Sequence, residues 1–290
     1  MPSVVYFTKE ITPSSLVRIY DALKITMSRK TAVKISTGEP PASNWLKPEL
    51  IADLVHRVNG TIVECNTAYE GPRHESKSHW KVIKDHGFME IAPCDILDED
   101  GDEGIPIVNG KLIKTNYVGT HMRNYNSMII LSHFKGHQMA GMGGALKNMS
   151  IGLASAYGKV HIHNYGTSDN PDDMFKVKKE GFIDAMADAD KSIIDFFGKK
   201  NLCYINVANN ISIDCDCNGH PKPPCMKDIG IFASLDPVAV DTACARAVFS
   251  SNEDGKKDLI RRISQRSGLR ILDAAQTLGL GSKDYILMTI

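Results

Sequence analysis

The sequence lacks any apolar run long enough to span a membrane, and it lacks an excess of either charge. Its 34 Lys and Arg residues balance 34 Asp and Glu residues in a chain of 290. A formal charge of zero gives no general attraction to nucleic acid or to an anionic membrane surface, so any anion must be bound by a local group of cations. We therefore expect neither a nucleic-acid partner nor a membrane partner.

The chain also begins without the features of an export signal. Residues 1–7 lack the basic start and the long apolar stretch of a signal peptide, which predicts a cytoplasmic protein. Seven cysteines, an odd number, favour free thiols or metal ligands over a disulfide framework in such a protein. Four of these cysteines lie in apolar surroundings typical of small buried side chains: Cys65, Cys94, Cys203 and Cys244.

Repeats, low-complexity tracts and linkers are missing as well, and the length suits a single domain over residues 1–290. Short apolar runs predict strands at 4–7, 32–36, 61–65, 128–131, 203–207 and 285–288. Between several of them, as in 16–27 and 50–58, apolar residues recur at helical spacing. This alternation predicts an α/β fold with a mostly parallel sheet flanked by helices.

Two regions depart from the alternation. Residues 92–118 contain Asn109 and Gly110, a pair that favours a tight hairpin turn, and they predict a small β-rich insertion. Residues 236–281 are predominantly helical, and Asp236 has the character of an N-cap before a proline. A basic run at 256–262 favours an exposed helix face over a nucleic-acid surface.

The densest group of functional residue types lies between residues 132 and 159. It follows the strand-like run 127–131 and leads into the helical segment 145–153, so it lies where a strand ends and a helix begins. Free amides at a helix N-terminus, together with glycines and lysines, favour an anion there. The alternative is that the glycines only turn the chain and the lysines are solvated. The candidates for binding an anion or cofactor are Gly143, Gly144, Lys147, Asn148 and Lys159.

The same segment holds the candidate catalytic residues His133, Lys135 and His137. The two imidazoles are candidates for metal ligation or proton transfer, but their four-residue spacing aligns them only on a helix, and the neighbouring glycines favour a loop. His161 and His163 predict a second pair on one side of a strand, suited to metal binding or acid–base chemistry. Packing histidines are the alternative for that pair.

A second dense segment, residues 214–225, follows the strand-like residues 210–213. Its three thiols, Cys215, Cys217 and Cys225, predict an iron–sulfur cluster or another soft transition metal, because thiolates favour zinc, copper(I) and iron–sulfur centres. Their C-x-C-x7-C spacing matches no standard zinc or ferredoxin pattern, and surface thiols on a proline-rich loop are the alternative. A complete site needs a fourth ligand or keeps that position open for substrate.

Polar residues also follow two of the other predicted strands. Glu39 comes after the strand at 32–36, and Tyr69 and Arg73 come after the strand at 61–65. Ligands of open parallel sheets collect beyond the carboxyl ends of the strands. We therefore expect these three residues to share one cleft with the histidine and cysteine segments.

With these segments assembled, the sequence resembles the DUF362 family, described as uncharacterised iron–sulfur centre proteins. The resemblance rests on residues 37–39, 66–73, 133–148, 214–217 and 228–241. The resemblance implies the α/β fold and the location of the site. It is a much weaker guide to the reaction. Many relatives carry an inserted ferredoxin module with C-x2-C-x2-C-x3-C runs, which this chain lacks. A distant likeness to the N-terminal domain of the lactate-racemase type concerns the fold alone.

These features favour an enzyme that acts on a small anionic substrate or cofactor. Redox chemistry, with a redox partner protein, is the first hypothesis. A metal with an open coordination position can instead act as a Lewis acid in an isomerase, racemase or lyase, with His133 or His137 moving the proton. A non-catalytic carrier of a metal, cluster or cofactor is the third possibility. An enzyme should enclose the histidine and cysteine segments in one cleft, whereas a carrier needs only accessible thiols.

Overall fold

An eight-stranded sheet organises the chain in the computed structural model, which describes residues 2–28 and 30–290. The strands are β1 (Ser3–Thr8), β2 (Thr31–Lys34), β3 (Thr61–Glu64), β4 (Cys94–Ile96), β5 (Asp102–Pro106), β6 (Thr115–Gly119), β7 (Ser127–His133), β8 (Lys135–His137), β9 (Gly141–Gly143), β10 (Leu202–Ala208), β11 (Gly230–Ser234) and β12 (Tyr285–Thr289). The helices are α1 (Pro13–Ala22), α2 (Pro48–Arg57), α3 (Ser76–Asp85), α4 (Phe88–Ile91), α5 (Ala145–Leu153), α6 (Ala156–His163), α7 (Lys179–Phe197), α8 (Pro237–Ser250), α9 (Lys256–Gln265) and α10 (Arg270–Thr277).

The order of the main sheet is β12-β1-β11-β10-β7-β2-β3-β4. Its strands pair in parallel except where β11 meets β1 and β10. The predicted α/β fold with a mostly parallel sheet is therefore confirmed. The parallel arrangement brings the carboxyl ends of β2, β3, β7 and β10 to the same edge of the sheet.

The central strands are buried on both faces, which explains why their sequences are apolar without interruption. Successive side chains of a strand point to opposite faces. Met128 and Ile130 belong to the core beneath α5, α7 and α8. Ile129 and Leu131 belong to the core beneath α1 and α2. The sheet is thus the middle layer of three.

Local signals define several helix starts. Helices α1 and α2 begin at Pro13 and Pro48, since a proline at the first position loses no intrahelical hydrogen bond. The carboxylate of Asp236 accepts hydrogen bonds from the amides of Val238 and Ala239, both at 2.9 Å, and caps α8 as predicted. Helix α1 ends earlier than its apolar pattern suggests, shortly before Lys24 takes a positive φ of 53°.

Two local predictions were wrong. Residues 210–213 form no strand; they lie in a loop, where the carbonyls of Ile211 and Ser212 accept hydrogen bonds from the amides of Cys225 and Gly136. His161 and His163 lie on helix α6, not on a strand.

The local signal that starts α6 explains why His161 and His163 lie on a helix. The side chain of Ser155 caps α6 by accepting a hydrogen bond from the amide of Gly158 at 2.9 Å. Residues two apart on a helix do not share a face. His161 and His163 are therefore separated: His161 lies edge-on to Tyr117, and His163 stacks on Phe182.

The region predicted as a β-rich insertion divides between two sheets. Strand β4 joins the outer edge of the main sheet beside β3, while β5 and β6 form a separate antiparallel hairpin. Asn109 in the connecting loop has a φ of 61°, which suits the turn predicted there. The Asp188 carboxylate on α7 accepts hydrogen bonds from the amides of residues 111–113 at 2.6–3.0 Å and holds this loop.

Helix α7 is the longest at 19 residues, and it carries buried aspartates as well as apolar side chains. Across residues 2–28 and 30–290, no helix combines the length and the apolar character needed to cross a bilayer.

Candidate functional site

A cavity of about 640 Å³ lies beyond the carboxyl ends of β2, β3 and β7, next to the loop that follows β10. Cavities of this size bind small molecules. It brings together twelve of the residues that the sequence singled out. They are Tyr69, Arg73, His133, Lys135, His137, Gly143, Gly144, Lys147, Asn148, Lys159, Cys215 and Cys217.

Two of the predicted residues do not line the cavity. Glu39 lies behind its wall, where it accepts hydrogen bonds from Arg73 at 2.8 Å and Tyr69 at 3.1 Å. The thiol of Cys225 donates instead to the carbonyl of Ile211 at 3.3 Å. The structure therefore separates Cys225 from the other two cysteines of its segment, which corrects the predicted ligand set.

His137 takes the place that the sequence gave to Cys225. The ligand atoms of His137, Cys215 and Cys217 all lie within 4.8 Å of one another, an arrangement that can hold a metal ion. The Nε2 atom of His137 is 3.7 Å from the sulfur of Cys217. Burial, and then the charge of Lys147, hold the pKa of His137 well below its usual range, so the ring is neutral.

The cluster has a defined oxidation and protonation state. A disulfide joins Cys215 to Cys217, so both thiolates become available as ligands only after its reduction by two electrons. The Nδ1 atom of His137 accepts hydrogen bonds from the amides of Met139 and Ala140, at 3.1 and 2.9 Å. The proton of the neutral ring is then on Nε2, and metal ligation there must displace it. The two sulfurs are thus the stronger ligands of the three.

Asp216, between the two cysteines, ties their loop to the sheet. Its carboxylate contacts Nδ1 of His133 at 2.8 Å and accepts a hydrogen bond from Lys135 at 2.6 Å. Burial raises the pKa of Asp216, but the charges of His133 and Lys135 outweigh burial and lower it to about 2.

His133 has no ring nitrogen left for proton transfer. Its Nε2 atom faces the carbonyl of Asn209 at 2.6 Å, and its Nδ1 atom faces Asp216. The geometry of His133 is therefore that of an anchor for the cysteine loop.

A buried network of charges forms another wall of the cavity. Glu64 at the end of β3 pairs with Arg73 at 3.3 Å and lies 3.9 Å from Lys34. The Thr37 amide also donates to Glu64, at 2.7 Å. Burial raises the pKa of Glu64, but the charges of Arg73 and Lys34 hold it well below its usual range.

The anion-binding site predicted at the N-terminus of α5 is occupied by a carboxylate of the protein itself, that of Asp241. The carboxylate of Asp241 accepts hydrogen bonds from the amides of Ala145 and Leu146 at 2.7 and 3.0 Å. A Cβ at Gly144 would lie 2.4 Å from this carboxylate, so glycine is required there for close approach. The helix amides that were expected to bind a ligand thus bind an internal carboxylate.

Side-chain cations remain available for an anion. Seven Lys or Arg side chains line the cavity against two carboxylates, those of Glu64 and Asp216. Lys147 is distinctive because none of the described residues gives its amine a hydrogen bond or an ion pair. Burial, followed by the charges of Lys135 and Lys34, lowers the pKa of Lys147 to about 7.

His163, which was predicted to lie on a strand, faces the cavity from α6. We expect it to make the stability of the protein depend on pH. Burial lowers its pKa to about 4, although a hydrogen bond to the carbonyl of Lys159 opposes this. Below pH 6.5 the unfolded chain then binds a proton that the folded chain does not, so stability falls between about pH 6.5 and 4. We expect His163→Gln to flatten the pH dependence of the free energy of unfolding by up to roughly 1 kcal/mol per pH unit.

Urea denaturation at several pH values checks this expectation. His220→Gln, a change in an exposed loop, should leave the pH profile as it is in the unmodified protein. Equal slopes for His163→Gln and the unmodified protein over this window would refute it.

Two charged residues of the cavity wall, Lys34 and Glu64, were not among the predicted site residues. Lys34 and Glu64 carried a signal, because each is a charged residue at the end of an otherwise apolar strand run. Burying such a charge is costly unless it is paired, so its presence indicates a partner.

The chain matches one family model and is similar in fold to two solved structures. The family model named domain of unknown function DUF362 matches residues 31–246. None of the curated proteins matches the chain.

The lactate racemase apoprotein from Thermoanaerobacterium thermosaccharolyticum has a TM-score of 0.48 and 13% sequence identity, over 85% of this chain and 57% of that one. The crystal structure of a protein from Thermotoga maritima has a TM-score of 0.40 and 11% identity, over 91% of this chain and 58% of that one. The match thus spans less than three fifths of each of these longer proteins.

Proposed function

We propose a function for this chain as a member of the DUF362 family, to which it belongs: it is a metal-dependent enzyme that acts on a small anionic substrate or cofactor. One observation carries the proposal. The cluster of His137, Cys215 and Cys217 lies in the same cavity as an excess of cationic side chains. A metal ion bound there would face an anion held by those cations.

The donor set suits a single soft transition-metal ion. Two thiolates and one imidazole favour ions such as zinc, copper or nickel. Iron–sulfur clusters are mostly held by four cysteines, and with Cys225 turned away only Cys215 and Cys217 are at hand. Three protein ligands leave a coordination position for substrate, which is the arrangement of catalytic metal sites.

Burial favours an enzyme over a carrier. Cys215 is 3% exposed and Cys217 is partly buried, and both line the cavity. A carrier that hands its metal to a partner protein needs thiols that the partner can reach. These two thiols are within reach of a small molecule in the cavity.

Within metal-dependent enzymes, the cavity favours an isomerase, racemase or lyase over an oxidoreductase. The metal supplies Lewis acidity when bound. Lys147 supplies an amine whose pKa of about 7 lets it accept a proton at neutral pH. The anchored His133 leaves this amine as the better placed group for proton transfer.

Metal analysis of the reduced protein tests the proposal. Protein purified anaerobically with a reductant should contain a stoichiometric soft metal without acid-labile sulfide. The double variant Cys215→Ser and Cys217→Ser should lose it, because both anionic ligands are gone. His137→Ala should weaken metal binding by more than the roughly 10- to 100-fold typical of residues that only support a ligand, but by less than the double variant.

Cys225→Ser is the matched control, as it removes a thiol of the same loop that lies outside the cluster. It should keep the metal content of the unmodified protein. A reduced protein without stoichiometric metal, or equal metal loss in Cys225→Ser and the double variant, would contradict the proposal.

A further inference from the structure

Lys147 differs from the three buried lysines that line the cavity, because its side chain is only partly buried. It projects from the first turn of α5, and among residues 2–28 and 30–290 its amine has neither a hydrogen-bond acceptor nor an ion-pair partner. The other three amines have partners, which are Ile35 and Asn148 for Lys34, Asp216 for Lys135, and Ala154 for Lys159. Unlike them, Lys147 is free to react with a molecule in the cavity.

The surroundings of Lys147 favour its neutral form. Burial and the positive charges of Lys135, Lys34 and Arg73 lower the pKa, and only the charge of Asp216 opposes them. At a pKa of about 7, roughly half of the amines are unprotonated at pH 7, compared with about one in 3,000 for an amine at the ordinary value of 10.5. An unprotonated amine in a desolvated pocket is a nucleophile.

We propose that Lys147 forms an imine with a carbonyl compound that carries a carboxylate or phosphate group. The inference rests on the proposed function for its anion-binding cavity, but the chemistry of the amine needs no metal. Lys159, whose amine donates to a backbone carbonyl and forms no ion pair within residues 2–28 and 30–290, attracts the anionic group of the compound to the cavity. The unpaired amine of Lys147 then meets its carbonyl carbon.

The step balances without an oxidant or a reductant. The lone pair of Nζ forms a bond to the carbonyl carbon, and the resulting carbinolamine loses its hydroxyl, with the proton from nitrogen, as water. A C=N bond replaces the C=O bond. Protonation of the imine makes it an electron sink, so the neighbouring carbon loses a proton or a carboxylate more readily. This outcome suits an isomerase or a lyase.

Reductive trapping tests the proposal. Metal-free, reduced protein at pH 7 is treated with sodium cyanoborohydride and one of three aldehydes: glyoxylate, glycolaldehyde phosphate or neutral glycolaldehyde. The reductant converts an imine into a stable secondary amine that peptide mass spectrometry locates. We expect at least one charged aldehyde to modify Lys147 at least about tenfold more than the exposed Lys200.

The two charged aldehydes distinguish a carboxylate-bearing from a phosphate-bearing compound. Lys147→Arg keeps the charge but cannot form an imine, and it should lose the selective modification while its circular dichroism stays unchanged. Inorganic phosphate should protect Lys147 of the unmodified protein, a measurement that does not depend on the variant's folding.

Three results would overturn the proposal: modification spread evenly over exposed lysines, equal modification of Lys147 by neutral glycolaldehyde, or no protection by phosphate. Its failure is separate from that of the proposed function. Metal bound without selective trapping refutes the imine alone. Selective trapping in a protein that never binds metal refutes the metal-dependent reaction and leaves the imine standing.

Discussion

Replacing Glu64 with alanine should lower the free energy of unfolding by about 3–5 kcal/mol. Lys34 is 1% exposed and would be left without a carboxylate partner, whereas Arg73, 3% exposed, would keep only Glu39. An unpaired buried charge costs far more than the pair itself contributes. Urea denaturation followed by circular dichroism measures this loss.

Asp85→Ala is the control for this experiment. It removes an exposed ion pair with Lys81 on α3, and such pairs contribute about 0–1 kcal/mol. Glu64→Gln keeps an acceptor for Thr37 and separates the lost charge from the lost hydrogen bond. A loss for Glu64→Ala no larger than that for Asp85→Ala would show that Arg73 and Lys34 find other partners or reach water.

Replacing Asp216 with alanine should have two large effects. The buried charge of Lys135 and the ring of His133 lose their partner, which should lower the free energy of unfolding by about 3–5 kcal/mol. Asp216 also positions Cys215 and Cys217, so metal affinity should fall roughly 10- to 100-fold. Denaturation measures the first effect, and competition with a chelator measures the second.

Asp254→Ala, which removes an exposed pair with Lys257, should change neither quantity measurably. The two effects of Asp216→Ala also have separate meanings. Full metal affinity with reduced stability would mean that the cysteine loop keeps its shape without this anchor. Unchanged stability would mean that Lys135 is not held as a buried charge.

The Asp216 contacts also explain why a loop holds the proposed metal ligands in place. Residues 209–229 contain no regular secondary structure, so neither a helix nor a strand fixes Cys215 and Cys217. Asp216 instead connects them to the end of β7 and to β8 through His133 and Lys135. His133, which was predicted to be catalytic, thus helps to hold the loop of Cys215 and Cys217 in place.

The sequence by itself determined the layers of this protein. Apolar runs predicted the strands β1, β2, β3, β7, β10 and β12. For the central strands β7 and β10 the reason is that a strand buried on both faces needs apolar residues on both. The proline starts of α1 and α2 and the Asp236 cap of α8 depend on residues a few positions apart, so they were also visible. The motifs that carry the family resemblance located most of the cavity lining.

Only the tertiary structure decided which polar groups meet. Asp216 contacts His133 and Lys135, which lie 83 and 81 residues away in the sequence. Asp241 accepts a hydrogen bond from the amide of Ala145 in α5, which lies 96 residues away. A side chain's type states what it can donate or accept but not which partner packing brings to it. The sequence therefore could not show that His137, and not Cys225, lies beside Cys215 and Cys217.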